Sequence, residues 1–282
     1  MSIIEAVILG LVQGISEFLP ISSTGHLTLA GKLMNLIDPQ SPEKWTAFIA
    51  VIQLGTLVSI LVYFWKDIIN IITAFFKDNL SERKSFKQQS FNSRLGWLVI
   101  IGTVPVVIVG LGFKKIIEGA LTKNLWVIAG SLVGVAVIIA IAEYFAKHRK
   151  DIEEVTIKDA LIVGIAQCFA LIPGSSRSGT TLAGGLFSGL KRETAARFSF
   201  LLSIPAIAAS GLLELKESIK FLDASLAVNM IVATIVSGVV GYFCIDFLLK
   251  FLRKNTTLVF IVYRIILGCF ILFLLYKNII TP

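Results

Sequence analysis

The chain has 282 residues, of which 56% are hydrophobic and only 16% are charged, and its mean hydropathy is +0.86. Soluble domains carry about a quarter charged residues, so this composition excludes an ordinary water-soluble fold. The net charge of +8 is better explained by membrane topology than by nucleic-acid binding, and no nucleic-acid partner is expected.

Long apolar stretches recur along the whole chain. A stretch of about 20 apolar residues is long enough to cross a bilayer. Five stretches reach this length, and a sixth is shorter and contains Pro205: residues 45–65, 95–113, 124–146, 225–249 and 257–276, with 197–213 as the sixth. The sequence therefore predicts an all-α, polytopic membrane protein, a single membrane domain over residues 1–282 in contact with bilayer lipids.

The Lys and Arg residues are concentrated in alternate loops. Sixteen of them lie in four segments, 66–94, 147–158, 191–197 and 250–254. Eight lie in the opposite loops: Lys32, Lys44, Lys114, Lys115, Lys123, Lys216, Lys220 and Lys277. Because cytoplasmic loops are enriched in Lys and Arg, the four segments are predicted to face the cytoplasm, and both termini to face outward.

Two halves of the chain are related at a constant offset. Residues 5–13 (EAVILGLVQ) match residues 159–167 (DALIVGIAQ), and each stretch then reaches a proline and a serine pair, starting at Pro20 and Pro173. The shared acidic start, glycine, glutamine, proline and serines make a chance match of apolar residues a poor explanation. The sequence therefore predicts an internal repeat.

Each half begins with about 15 apolar residues that are broken by the Pro-Ser loop. Because a helix rises 1.5 Å per residue, neither arm can cross a core of ~30 Å, and each is predicted to form a re-entrant helix–loop–helix hairpin. Three spans follow each hairpin, so the second repeat (158–277) is predicted to be inverted relative to the first (1–146). Inverted repeats with broken helices build polar sites near the midplane, where the two loops are expected to face each other.

Loop one, residues 13–26, carries groups that could react. Gln13 and Glu17 are four residues apart and share one helix face. Pro20 ends the incoming helix, and residues 22–24 (SST) can cap the outgoing one. His26 then falls in the first helical turn, where N–H groups and the helix dipole favour an anion.

Loop two, residues 173–181, carries groups that could hold a phosphate. Gly174 allows the backbone to approach a ligand, and Ser176, Ser178 and Thr181 supply hydroxyls. Arg177 supplies a planar, permanently charged fork that suits phosphate. The combination predicts an oxyanion cradle.

Ionisable residues at membrane depth are costly to bury, so Glu17 and Arg177 are predicted to be functional. Simpler interpretations stay open at this point. Glu17 could pair with Arg177, and Ser22 and Ser23 could serve as helix caps. Arg264 lies well inside a span and could have a pairing role or a substrate role.

The two loops together resemble those of the undecaprenyl-diphosphatase family of the bacitracin-resistance type. The first family motif is matched by Gln13 to Glu17 and by Pro20 to His26. The second is matched by Pro173, Gly174, Ser176, Arg177, Ser178 and Thr181. Gln13 stands where many members have Glu, and an amide cannot act as a base or supply charge to a metal.

The resemblance implies a bacterial plasma (inner) membrane hydrolase. Such an enzyme converts undecaprenyl diphosphate to undecaprenyl phosphate, recycles the carrier lipid for peptidoglycan synthesis and confers bacitracin resistance. A divalent cation, Mg²⁺ or Ca²⁺, is associated with the activity, with Glu17 as a metal ligand. The expected catalytic residues are Glu17, Ser23, His26 and Arg177. The expected substrate-binding residues are Gln13, Ser22, Thr24, Gly174, Ser176, Ser178 and Thr181.

Several mechanistic and functional alternatives stay open. Ser23 is the preferred nucleophile, with Glu17 or His26 as its base, but His26 could attack directly or Glu17 could activate a water. A polyprenyl-lipid transporter or flippase also suits inverted repeats, and the substrate could be another lipid diphosphate. The site is expected to open outward, and a homodimer is left open.

Overall fold

The computed structural model describes residues 1–38, 42–113, 124–218 and 224–281. Regular structure in these ranges is helical, apart from one β-bridge between Lys150 and Leu190, which confirms the all-α class. The α-helices of these ranges are α1 Ile3–Phe18, α2 Ser23–Leu33, α3 Pro42–Tyr63, α4 Trp65–Phe76, α5 Phe91–Gly112, α6 Leu125–Phe145, α7 Ile157–Cys168, α8 Arg177–Phe187, α9 Arg192–Ser218, α10 Ala224–Lys254 and α11 Leu258–Tyr276.

Six of these helices are long and apolar enough to cross a membrane: α3, α5, α6, α9, α10 and α11. The prediction of six spans is confirmed, and the protein is a multi-pass membrane protein. The span predicted for residues 197–213 begins at Arg192, and the span predicted for residues 225–249 ends at Lys254. Helix α9 contains Pro205 in its interior. Membrane helices tolerate an interior proline when neighbouring groups bond to the backbone carbonyl that the proline leaves without a donor.

Two short helix pairs break at the predicted Pro-Ser loops. Helices α1 and α2 have 16 and 11 residues, and α7 and α8 have 12 and 11. The longest of them extends about 24 Å at 1.5 Å per residue, less than the ~30 Å hydrocarbon core. Each pair is therefore a helix–loop–helix unit in which no helix can span a bilayer.

The segment 66–94, which the sequence suggested as a loop, contains a further helix. Helix α4 begins directly after α3 and has no buried residue. It packs against α5, and its large apolar side chains, such as Trp65 and Phe76, are exposed. The sequence did not predict this helix, because its run of apolar residues is too short for a membrane span.

The two short helices with matching sequences each pack along a long helix from the other half of the chain. Helix α1 packs along α10, and α7, its counterpart in the repeat, packs along α5. Gly10 and Gly164 occupy matching places in these contacts. A Cβ on Gly10 would lie 2.6 Å from the Ala233 carbonyl oxygen, and one on Gly164 would lie 2.3 Å from that of Gly102. The absence of a side chain thus lets each short helix touch the backbone of its neighbour.

The four basic segments lie at one end of the helix bundle. Arg197 pairs with Asp67 at 2.9 Å, and Arg253 pairs with Glu193 at 2.6 Å. The backbone N–H of Lys191 donates to the Lys150 carbonyl at 3.0 Å. These contacts connect all four segments. Of the eight basic residues predicted for the opposite end, Lys114, Lys115, Lys123 and Lys220 lie outside the described residues.

Gly164→Ala should lower the free energy of unfolding by about 1–3 kcal/mol, the usual cost of overpacking. The added methyl group would meet a backbone oxygen that cannot rotate away. Gly130→Ala in α6 is the matched control, because a Cβ there meets nothing within 4 Å, and alanine favours the helix by up to about 1 kcal/mol. Thermal unfolding in detergent measures both variants, and equal midpoints would contradict the close α5–α7 packing.

Candidate active site

Glu17 lies at the end of α1 and is 5% exposed. Gln13, one turn earlier, donates from Nε2 to Glu17 Oε2 at 2.9 Å. The other carboxylate oxygen, Oε1, accepts a hydrogen bond from Nη2 of Arg177 at the start of α8. The ion pair that the sequence left open is therefore formed, and both carboxylate oxygens have partners.

Ser22 and Ser176 begin the outgoing helices α2 and α8 in the same conformation. Each is the N-cap residue, with φ of 79° and 72° respectively. Ser22 Oγ accepts from the Gly25 N–H at 3.2 Å, and Ser176 Oγ accepts from the Gly179 N–H at 3.1 Å. A positive φ is uncommon for serine and persists where the surrounding structure fixes it. Ser22 is thus a helix cap, as one interpretation proposed.

The two loops contact each other directly. Ser178 Oγ donates to the Leu19 carbonyl at 3.0 Å. Because the Ser178 proton is used there, the 3.1 Å contact between the hydroxyls of Ser176 and Ser178 has Ser176 as its donor. Together with the ion pair between Glu17 and Arg177, these bonds hold the ends of α1 and α8 side by side. The loops therefore face each other, as expected.

His26 has partners at both ring nitrogens. Its Nδ1 lies 2.7 Å from the Ser22 carbonyl oxygen, and its Nε2 lies 2.6 Å from the Tyr263 hydroxyl. Ser23 and Thr24 are the first two residues of α2 and are half-buried. Within the described part of the chain, neither makes a side-chain hydrogen bond. The Ser23 hydroxyl is thus open to a ligand, while both proposed bases are bonded to other groups.

Two residues predicted to bind substrate, Thr181 and Gly174, have structural roles in and next to loop two. Thr181 is wholly buried, and its hydroxyl lies 2.6 Å from the Arg177 carbonyl and 2.5 Å from Ser199 Oγ. Gly174 has a φ of +87°, and a Cβ there would lie 2.4 Å from the Ile128 carbonyl oxygen. Glycine is therefore needed at this position for close packing against α6, whatever it contributes to a ligand.

Arg264, in α11, joins both loops to the spans and is completely buried. Its guanidinium donates to the carbonyl oxygen of Pro20 in loop one at 3.1 Å, and to those of Gly174 and Ser175 in loop two at 3.2 and 3.0 Å. It also donates to two carbonyl oxygens of α6, from Ser131 and Leu132. Arg264 therefore has the pairing role that the sequence left open, and its partners are backbone carbonyl oxygens. Among the described residues, no carboxylate pairs with Arg264.

Sequence reasoning did not single out Tyr263 or Ser199. The position of an arginine within an apolar span was the one sequence signal for this region. The contacts of Tyr263 and Ser199 are with residues far away in sequence, which a single sequence does not reveal.

Arg264→Lys should unfold far more easily than the parent protein and lose most of the activity. Lysine keeps the charge but cannot reach acceptors in three elements at once. Unpaired buried acceptors cost about 1–3 kcal/mol each, so a loss of several kcal/mol is expected in detergent unfolding experiments. Arg149→Lys is the control, since Arg149 is exposed. A variant as stable as this control would contradict the joining role.

Comparison with known proteins assigns the chain to a family. The family described as "Bacitracin resistance protein BacA" matches residues 6–270. The chain is 52% identical to the undecaprenyl-diphosphatase of Syntrophobacter fumaroxidans, over 99% of both chains. It is 48% identical to that of Chloroherpeton thalassium, over 98% of this chain and 97% of the relative. It is also 48% identical to the undecaprenyl-diphosphatase of Myxococcus xanthus, over 100% of this chain and 92% of the relative. The chain is a member of the BacA bacitracin resistance family.

Proposed function

We propose that this protein is a membrane phosphatase that hydrolyses undecaprenyl diphosphate to undecaprenyl phosphate and phosphate. Family membership and the curated relatives named undecaprenyl-diphosphatase support this activity. The structural observation that carries it is the buried Glu17–Arg177 pair, which joins the end of α1 to the start of α8 inside a six-span bundle. Recycling of the carrier lipid for peptidoglycan synthesis and bacitracin resistance follow from the family.

The membrane topology of the proposal is an inverted repeat with two re-entrant hairpins. It is supported by the short length of α1, α2, α7 and α8 and by the exchange of partners between α1–α10 and α7–α5. In this topology the basic end of the bundle faces the cytoplasm and both termini face outward, and the site is proposed to open on the same outer side. The relatives' substrate, undecaprenyl diphosphate, then reaches the pocket with its tail in lipid.

The diphosphate is held between the two loops. The first N–H groups of a helix have no partner within it, so the starts of α2 and α8 both favour an anion. Arg177 exchanges part of its contact with Glu17 for a phosphate oxygen and stabilises charge that develops in the transition state. Thr24 and Gln13 complete the pocket, while Ser22, Gly174, Ser176, Ser178 and Thr181 fix the loop shape that presents these groups.

Ser23 is the proposed nucleophile. Its Oγ attacks the terminal phosphorus, its proton passes to His26 or Glu17, and the bond from phosphorus to the bridging oxygen breaks to release undecaprenyl phosphate. Water then hydrolyses the phosphoserine. Since both bases have other partners in the free protein, substrate binding has to release one of them. Direct attack by His26, or by a water that Glu17 activates, is the alternative.

The donor set of the site suits a hard divalent cation. Gln13 Oε1 is buried and has no partner among the described residues, and it lies beside the Glu17 carboxylate. Amide and carboxylate oxygens together with substrate phosphates are the ligands that Mg²⁺ and Ca²⁺ prefer. Glu17 and Gln13 would hold the ion. Of these two ligands, Glu17 alone would supply negative charge, because the Gln13 amide is neutral. When bound, it would neutralise charge on the diphosphate.

Phosphate release from detergent-purified protein with undecaprenyl diphosphate tests the proposal. Release should occur without vesicles, because hydrolysis needs no compartment, and a chelator should lower it. Lipid movement in vesicles without phosphate release would favour a transporter instead. Comparison of shorter polyprenyl diphosphates tests tail selectivity, and sedimentation in the same detergent tests for a homodimer.

Ser23→Ala should lower kcat by about 10³-fold or more, because the nucleophile is lost. Ser22→Ala is the matched control: it removes a cap worth about 1 kcal/mol but no reacting atom, so it should reduce stability more than chemistry. Trapping of a phosphoserine by rapid quench identifies the nucleophile. Full turnover by Ser23→Ala would exclude the serine mechanism and leave His26 or water.

A further inference from the structure

A cavity of about 360 Å³ lies at the basic end of the helix bundle, where the start of α5 meets the start of α7. No residue of the two loops lines it, so it is separate from the candidate active site. Its walls include three apolar side chains from the start of α5 and the segment before it, and three charged side chains: Phe86, Phe91, Leu98, Arg94, Glu153 and Lys158.

Arg94 brings a positive charge into this cavity without a protein partner. It lies one turn inside α5, which is long and apolar enough to cross a membrane. Its Nε is buried and has no hydrogen-bond partner among the described residues. Buried carboxylates at this end of the bundle have cations of their own, since Asp78 pairs with Lys84 and Asp159 pairs with Lys150. Because a guanidinium always carries its charge, Arg94 needs an anion from outside the protein.

The charged groups of the cavity favour a phosphate. Arg94 and Lys158 contribute two positive charges, and the exposed carboxylate of Glu153 contributes one negative charge, so the lining is positive overall. With Nε free, the planar guanidinium can donate from Nε and from one Nη to two oxygens of the same phosphate group. Lys158 can add a further donor as a point charge.

The apolar wall and the depth of the cavity indicate that this phosphate belongs to a lipid. Phe86 and Phe91 would gain nothing from a soluble anion, but they suit the first methylene groups of a hydrocarbon chain. Since α5 begins at Phe91, the cavity lies at the level where a span meets the lipid headgroups. Its volume is at the lower end for small-ligand pockets, so it has room for a headgroup while the chains stay in the bilayer.

We propose that this cavity binds an anionic phospholipid of the surrounding bilayer, with the phosphate between Arg94 and Lys158 and the start of the chains against Phe86 and Phe91. Basic pockets between membrane helices bind anionic headgroups in this way. The site is independent of the proposed phosphatase activity, because lipid binding there involves no turnover.

Titration of the detergent-purified protein with phosphatidylglycerol, followed by native mass spectrometry, tests the site, with zwitterionic phosphatidylcholine for comparison. The parent protein should bind phosphatidylglycerol more tightly. Arg94→Gln should weaken this binding by about tenfold, the effect of losing one charge-assisted hydrogen bond. Arg149→Gln is the matched control, because Arg149 is an exposed arginine at the same end of the bundle and does not line the cavity. Equal binding of the two lipids by the parent protein, or equal losses in the two variants, would overturn the proposal.

Glu153→Gln tests the same site in the opposite direction. Removal of the one carboxylate in the lining should tighten phosphatidylglycerol binding by about twofold to fivefold, and misfolding cannot produce such a gain. Unchanged or weaker binding would contradict an anion in the cavity. Inorganic phosphate at millimolar concentration should leave the bound lipid in place. Displacement by inorganic phosphate would mean that the cavity takes a soluble anion, and the lipid assignment would be wrong.

Discussion

The candidate site depends on a buried guanidinium that has carbonyl oxygens as partners. Arg264 donates five hydrogen bonds, to both loops and to α6, from a position with no exposed surface. A buried charge is costly unless it is well solvated by the protein. The irregular loops have the complementary requirement, since carbonyls outside a helix need donors at membrane depth. One arginine meets both requirements, and its hydrogen bonds fix the positions of the two loops relative to each other.

The two loops have matching backbone caps but carry different functional groups. Ser22 and Ser176 share a conformation and a capping bond. The charged groups, however, are divided between the two helix–loop–helix units: the carboxylate of Glu17 comes from the first and the guanidinium of Arg177 from the second. Neither unit alone contains both members of the pair. The ion pair can therefore form only where the two loops meet.

The sequence predicted the features that composition and spacing determine. Apolar runs located the six spans, and the proline breaks located the two short helix pairs. The contact between the loops was expected because irregular backbone at membrane depth has to line a cavity or be buried in protein. The role of Arg264 could not be predicted, because its partners are main-chain carbonyls that any residue provides. Several hydroxyls assigned to substrate proved to be bonded within the loops, since serine and threonine serve as caps and as ligands with the same atoms.

The position of Arg264 near the end of the chain also has a consequence for biosynthesis. Its partner Pro20 is 244 residues earlier, and at 5–20 residues per second the ribosome needs roughly 12 to 50 s to add the intervening chain. For that time loop one is inserted without the donor that finally satisfies it. The bond between Arg264 and loop one can form only after α11 has been made, so a chain that terminates before α11 would lack it even though both sequence motifs have been translated.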